Sequence, residues 1–217
     1  MGANPERERS EVRDKRDKWA TFDCYGTLID WNGGVASVIG AELLPRYHEV
    51  EPQVQAEDQS RSYRDVMTET LRRLGADEPE ALARSLPGWT AFPEVRSSLE
   101  EVRRRGWRLA ILSNTDRDFI EASMRTIGVP FELTIVASEI GSYKPAHGHW
   151  RAFEREVGRM PDVHVAASHF HDVRPATELG LPSVWINREH ERVELRPTRE
   201  LPDLTALPDT LDELVPP

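Results

Sequence analysis

Short apolar runs recur along the chain, separated by stretches with helical spacing. Trp19-Ala20-Thr21-Phe22-Asp23 is apolar and bounded by the turn-prone Gly26, which predicts a buried strand. The runs at 108–114, 133–138, 163–169 and 183–188 are equally short and rich in Val, Ile, Leu and Ala, and predict four more. The stretch 93–106 places Val95, Leu99 and Val102 at helical spacing, with Gly106 as a stop. The stretch 116–128 does the same with Phe119, Ile120, Met124 and Ile127. Two shorter helices are predicted at 149–158 and 173–180. Strands alternating with helices point to an α/β fold with about five parallel strands covered on both faces. In such sheets ligands bind at the carboxyl ends of the strands.

The alternation breaks over 33–92, which reads as helices only, roughly 34–47, 51–74 and 78–86. Val54, Tyr63, Val66, Thr70, Leu71 and Leu74 give part of an apolar stripe. This segment is expected to be a helical cap inserted after the first strand and packed over its end. Residues 19–32 and 93–217 then form a Rossmann-like core. Residues 1–18 hold almost no apolar side chains and are expected to be a mobile charged tail. The end, 189–217, is rich in Pro, Glu and Leu and is expected to run over the surface, anchored by Leu201, Leu204 and Leu207.

Composition narrows the function. The 217 residues suit one domain, or one domain with a sizeable insertion. With 28 basic and 38 acidic residues the net charge is −10, which argues against a nucleic-acid partner. A small anionic organic substrate remains open, because a pocket can be locally positive. No apolar run approaches the about 20 residues of a membrane span, so no membrane partner is expected. The single cysteine cannot form an internal disulfide and points to a reducing cytoplasm. The charged start lacks the apolar stretch of a secretory signal. Arg103-Arg104-Arg105 reads as a solvated helix end, and Asp116 and Asp118 as acids at a helix N-terminus.

Asp23 ends a buried strand and is followed by Gly26 and Thr27. A buried carboxylate there is either a turn-forming Asx residue or a nucleophile whose acyl intermediate water opens. Lys144 precedes a proline and reads as an exposed loop lysine or a catalytic one. Asp172 caps a helix, faces Asp23, or does both. The string Asp23-Cys24-Tyr25-Gly26-Thr27-Leu28 resembles the first motif of the haloacid dehalogenase superfamily. Ser113-Asn114, Lys144-Pro145 and the segment Ala166 to Asp172 resemble the second, third and fourth, in order and at strand ends. The resemblance covers about 19–190, cap included.

Phosphatases of the superfamily carry an Asp two residues after the nucleophile, where this chain has Tyr25. They usually carry a metal-holding carboxylate where it has Ala167. Asp-x-Tyr-Gly-Thr-Leu is similar instead to the type II 2-haloacid dehalogenases, which work without metal. The resemblance implies that Asp23 displaces halide from carbon and forms an ester, which water hydrolyses near Lys144 and Asp172. Ser113, Asn114 and Thr27 would hold the substrate carboxylate and the nucleophile, and Tyr25 would face the substrate. No cofactor is implied. A magnesium-dependent phosphatase, with Mg²⁺ as cofactor, is one alternative; a catalytically silent binder of a small carboxylate or a partner is another.

Three positions depart from the type II pattern. His48 stands where a cap arginine is expected, His169 where an asparagine is expected, and Trp150 where an aromatic hydroxyl is expected. His48, His169 and Trp150 are therefore taken as candidate substrate contacts. His169 and His171 would share one face of a strand, and with His147 and His149 they suggest a metal cluster. Such sites need three or four converging ligands, so a pocket-lining His169 is the preferred reading. Cys24 reads as a small buried side chain. Trp31, Trp89 and Phe92 read as junction packing or as an apolar wall that excludes water. The resemblance also implies a homodimer.

Overall fold

The computed structural model describes residues 17–216. The tail expected over 1–18 lies outside the described residues as far as 16. Its boundary moves, because Lys18 already opens the first strand and pairs with Asp212. Five of the strands fall where the apolar runs predict them: β1 (Lys18–Phe22), β2 (Trp107–Ser113), β3 (Leu133–Val136), β4 (Val163–Ala166) and β5 (Ser183–Ile186). A sixth, β6 (Arg199–Leu201), was not expected. The sheet is entirely parallel, in the order β3-β2-β1-β4-β5-β6. The order reverses between β1 and β4, which opens a crevice at their carboxyl ends.

Between β1 and β2 lie α1 (Trp31–Ile39), α2 (Leu44–Glu57), α3 (Tyr63–Arg73), α4 (Ala81–Ser85) and α5 (Val95–Arg104). The remaining helices are α6 (Arg117–Ile127), α7 (Ala137–Ile140), α8 (Gly148–Val157), α9 (Arg174–Glu178) and α10 (Leu207–Leu214). On α5, Val95, Ser98, Leu99 and Val102 bury one stripe, which fixes the face it turns to the sheet. Alternation along β2 sends Leu109 and Ile111 to one core cluster. It sends Ala110 and Leu112 to a second cluster with Trp19, Trp150 and Phe153.

Two boundaries in the helical segment move. The helix expected over 34–47 breaks at Gly40, whose φ of 83° is costly for other residues. The helix expected over 51–74 divides at 58–62, and its first half begins earlier, at Leu44, with Pro52 inside it. The C-terminal segment also differs from a surface run. It supplies β6 and α10, and Leu204, Leu207 and Leu211 are fully buried. No helix among the described residues is long and apolar enough to cross a membrane.

Candidate active site

Asp23 directly follows β1 and lies in the crevice, 7% exposed. A buried carboxylate is costly unless paired. Lys144 pairs it from the loop after α7, itself 1% exposed. Lys144 Nζ donates to Asp23 Oδ1 at 2.9 Å, to Asp172 Oδ1 at 2.5 Å and to the Leu112 carbonyl at 2.8 Å. These bonds use all three ammonium hydrogens. Burial pushes the Asp23 carboxyl above its ordinary value, with Lys144 opposing and Asp172 reinforcing. Burial also opposes ionisation of Asp172, but Lys144 and His164 outweigh it and hold that carboxyl down to about 2. Burial works to strip the Lys144 proton, and the two carboxylates outweigh it in turn. One ammonium thus serves two carboxylates of unequal basicity, Asp23 being the stronger base.

Neighbouring groups fix this arrangement. Gly26, at φ 86°, turns the chain so that Thr27 comes back to Asp23. Thr27 Oγ1 donates to Asp23 Oδ2 at 3.0 Å and accepts from the Ala167 amide at 2.9 Å. Asn114 holds the Lys144 backbone from both sides: its Oδ1 accepts from Lys144 N at 2.7 Å and its Nδ2 donates to Lys144 O at 3.0 Å. His164, fully buried on β4, places Nε2 2.9 Å from Asp172 Oδ1 and Nδ1 2.9 Å from Thr21 Oγ1. His149 Nε2 lies 3.0 Å from the Ser113 carbonyl. Burial lowers the His149 pKa to about 3, so the ring is neutral and donates there. Ser113 Oγ and Asp172 Oδ2 are buried without a hydrogen-bond partner.

Asp23, Ser113, Asn114, Lys144 and Asp172 open into a cavity of about 690 Å³. Its opposite wall comes from the helical segment: Trp31 and Asn32 of α1, His48, Glu51 and Gln55 of α2, and Tyr63 of α3. Tyr25 stacks on Tyr63 at 6.3 Å between centroids and meets Trp89 edge-on, while its hydroxyl lies 3.0 Å from Ser123 Oγ on α6. Burial raises the Tyr25 phenol far above its usual range, so the ring is neutral. His48 stacks on Trp31 and donates Nε2–H to Asn32 Oδ1 at 3.0 Å, its pKa lowered by burial. At the rim, Phe170 is 51% exposed, and His169 Nε2 donates to the Leu195 carbonyl at 2.8 Å.

The sequence profile of the haloacid dehalogenase-like hydrolases matches residues 18–167, which include Asp23, Ser113 and Lys144. The chain belongs to this family. It is 30% identical to the (S)-2-haloacid dehalogenase of Pseudomonas sp. strain YL over 196 residues, 79% of this chain and 83% of that one. An L-2-haloacid dehalogenase crystal structure superposes with a TM-score of 0.80 at 22% identity, covering 90% and 99% of the two chains. The L-2-haloacid dehalogenase of Xanthobacter autotrophicus with chloropropionic acid covalently bound superposes with a TM-score of 0.75 at 20% identity, covering 90% and 98%. The chain is thus a haloacid dehalogenase-like hydrolase with the family's fold.

Within this hydrolase the structure brings Asp23, Lys144, Asp172, Thr27 and Ser113 together, with Tyr25, Asn114, His48 and His169 around them. Trp150 is a correction. It is fully buried in the second core cluster, edge-on to His164, and does not line the cavity. Asn114 lines the cavity, but its amide is occupied by the Lys144 backbone. His169 and His171 lie on a π-helical turn (His169–Val173), so strand alternation does not apply to them. No group of three or more His, Cys, Asp or Glu among the described residues is placed to hold a metal. Asp116 does not cap its own helix; its carboxylate accepts from the backbone of Tyr63 and Arg64.

Four lining or supporting groups escaped the sequence reading. Glu51 shares a buried stripe with Tyr47, Val50 and Val54, a pattern hidden by starting that helix at 51. His164 sits inside a run read only as strand. Arg188, just after β5, donates to the Thr27 carbonyl at 2.9 Å and to Glu94 at 2.7 Å, and lies over the Phe92 ring at 3.6 Å. Its signal was a charge directly after a buried strand at the ligand-binding edge. Gln55 completes the wall beside Glu51.

Proposed function

We propose that this hydrolase cleaves the carbon–halogen bond of 2-haloacids through an ester on Asp23. The observation that carries the proposal is the Asp23–Lys144–Asp172 bridge beside Tyr25 and Ala167. The bridge supplies a buried nucleophile paired with an ammonium, while Tyr25 and Ala167 leave out a general acid and a metal-holding carboxylate. Halide departs as a stable anion and needs no proton. The reading also follows what the relatives are named for, and the covalent chloropropionate complex of the Xanthobacter enzyme agrees with an ester intermediate.

In this scheme an Asp23 oxygen attacks the halogen-bearing carbon from the side opposite the halogen. The carbon–halogen bond breaks and its electron pair leaves with halide. Ser113 Oγ, buried and unpartnered, donates to the substrate carboxylate. Thr27 and Lys144 hold the Asp23 carboxylate in one orientation for attack. Water then adds to the Asp23 carboxyl carbon. Asp172 Oδ2, also unpartnered, orients that water and takes its proton. As the ester bond opens, the departing alkoxide oxygen takes that proton back from Asp172 and leaves as a 2-hydroxyacid, while the second water proton passes from the re-formed Asp23 carboxyl to solvent. Residues 33–92 act as the cap that closes water out, over the core of 19–32 and 93–217.

Magnesium fits this donor set poorly. It asks for about six hard oxygens. Asp23 Oδ1 and Asp172 Oδ1 are held by Lys144, Asp23 Oδ2 by Thr27, and Ala167 offers no side-chain oxygen. A reducing cytoplasmic setting and a homodimer complete the proposal; the first rests on the single cysteine and the second on family resemblance.

The test is halide release from short 2-haloacids with EDTA present. Release that vanishes in Asp23→Asn, with a substrate-derived mass on the Asp23 peptide during turnover, is the expected result. No halide, combined with magnesium-dependent phosphoester hydrolysis, overturns it.

A further inference from the structure

The wall of the cavity opposite Asp23 takes its polarity from a buried acid. Glu51 is 7% exposed, with Tyr63 and Gln55 as polar partners. Among the described residues, only Lys144 and Arg188 bring a fixed positive charge to the lining. Both already face carboxylates: Asp23 and Asp172 in one case, Glu94 in the other. Six acids share the lining: Asp23, Asp30, Glu51, Asp172, Glu189 and Glu191. An anionic group reaching toward Glu51 enters a water-poor space that offers it a buried acid and no uncommitted cation. His48 supplies none, since burial lowers its pKa.

Size points the same way. About 690 Å³ is much more than a two- or three-carbon haloacid fills. Pockets for larger organic ligands span roughly 300–1,000 Å³. The wall around Glu51 is aromatic: Trp31 Nε1 donates to Tyr63 Oη at 3.0 Å, so both rings are fixed in place. Fixed rings beside the Glu51 carboxyl exclude water, which strengthens its attraction for a cation.

We propose that Glu51, with Gln55 and the rings of Trp31 and Tyr63, forms a subsite for an ammonium group, so that the substrate is a 2-haloacid extended by a chain ending in a protonated amine. The halogenated end rests on the dehalogenase reading; the subsite does not. Burial holds the Glu51 carboxyl up to about 7 in the empty site, and an ammonium beside it favours the ionised form, which accepts from the ammonium; the Gln55 carbonyl offers a second acceptor. The added positive charge offsets the surplus of acids around it.

Two measurements test this separately. The first is calorimetric titration of the wild-type protein with halogen-free 5-aminopentanoate, hexanoate and adipate, which are similar in length. 5-Aminopentanoate is expected to bind roughly tenfold tighter than hexanoate, the effect of one well-placed charge contact, with adipate weakest. Glu51→Gln is expected to bring the ratio of the first two near one, and Glu51→Asp, which keeps the charge, to retain part of it. Equal binding of the three, tighter adipate, no binding of 5-aminopentanoate, or an unchanged ratio in Glu51→Gln each overturns the subsite. The second is halide release from 2-chloro-5-aminopentanoate, 2-chlorohexanoate and 2-chloropropionate, each counted only above the release seen with Asp23→Asn, which removes the contribution of ring closure by the free amine, and with the 2-hydroxyacid product identified by mass spectrometry. Release with a preference for the amine supports both proposals. Release without that preference overturns the subsite and leaves the dehalogenase reading standing. No release, with the calorimetric preference intact, does the reverse.

Discussion

His164 Nε2 lies 2.9 Å from Asp172 Oδ1, the same carboxylate oxygen that accepts from Lys144. A fully buried imidazole and a buried ammonium therefore share one acceptor. Losing a hydrogen bond to a buried charged group costs about 1.5–3 kcal/mol. His164→Leu is expected to lower stability by about that amount in urea denaturation. It is also expected to prolong the Asp23 ester, since Asp172 acts in the second step. His164→Gln, whose amide can donate to Asp172, is expected to recover part of both. A folded His164→Leu whose ester decays at the wild-type rate would show that the histidine only packs.

The helical segment is tied to the core through Asp116. Its two carboxylate oxygens accept from Tyr63 N and Arg64 N, each at 2.9 Å, and so serve donors in the first turn of α3. Ser62 caps the same helix through the Asp65 amide, so α3 does not depend on Asp116 alone. Asp116→Ala is expected to cost about 1–2 kcal/mol, the usual value of a cap. Faster amide exchange at residues 63 and 64, with α6 unaffected, is the expected signature. Unchanged exchange there would contradict the assignment.

Stability depends on pH through Glu51. Burial raises its carboxyl from the ordinary 4.5 to about 7. The native state therefore binds more protons than the unfolded chain between those values. Stability from this residue falls as pH rises through that window, by roughly 3 kcal/mol in all. Glu51→Gln stays neutral throughout, so its stability relative to wild type is expected to be greater at pH 8 than at pH 5. Equal differences at the two pH values would mean that Glu51 is not held protonated.

The alternation of apolar runs and amphipathic stretches made β1 to β5 and their helices legible, because a parallel sheet buries both faces of each strand. β6 escaped because it is an edge strand of three largely exposed residues, with no apolar run to mark it. In the site, Asp23, Lys144 and Asp172 were legible as residues at strand ends. Their shared geometry was not, since Lys144 Nζ reaches back to the Leu112 carbonyl across 32 positions. Trp150 misled because position after Lys144 suggested the pocket, whereas its place on α8 turns it into the core on the other sheet face. Glu51 and His164 were hidden for one reason: each is a polar side chain inside an apolar pattern, and its role comes from distant partners.

Asn114 separates positioning from substrate contact. Both ends of its amide hold the Lys144 backbone, so Asn114→Ala removes two hydrogen bonds from the loop that carries the ammonium. The cost in stability is expected to be about 1–3 kcal/mol. The larger effect is geometric, since a shift of about 1 Å in a catalytic group can lower rate on the order of a hundredfold. If Asn114 acts only through Lys144, kcat falls and KM changes little. If its amide instead grips the substrate carboxylate, KM rises at least as much as kcat falls. Asn114→Asp offers a second reading: its carboxylate still accepts from Lys144 N but places an oxygen against Lys144 O, and kcat is expected to fall again with KM held. Steady-state kinetics of the two variants on one haloacid, with folding checked by circular dichroism, decide between the roles.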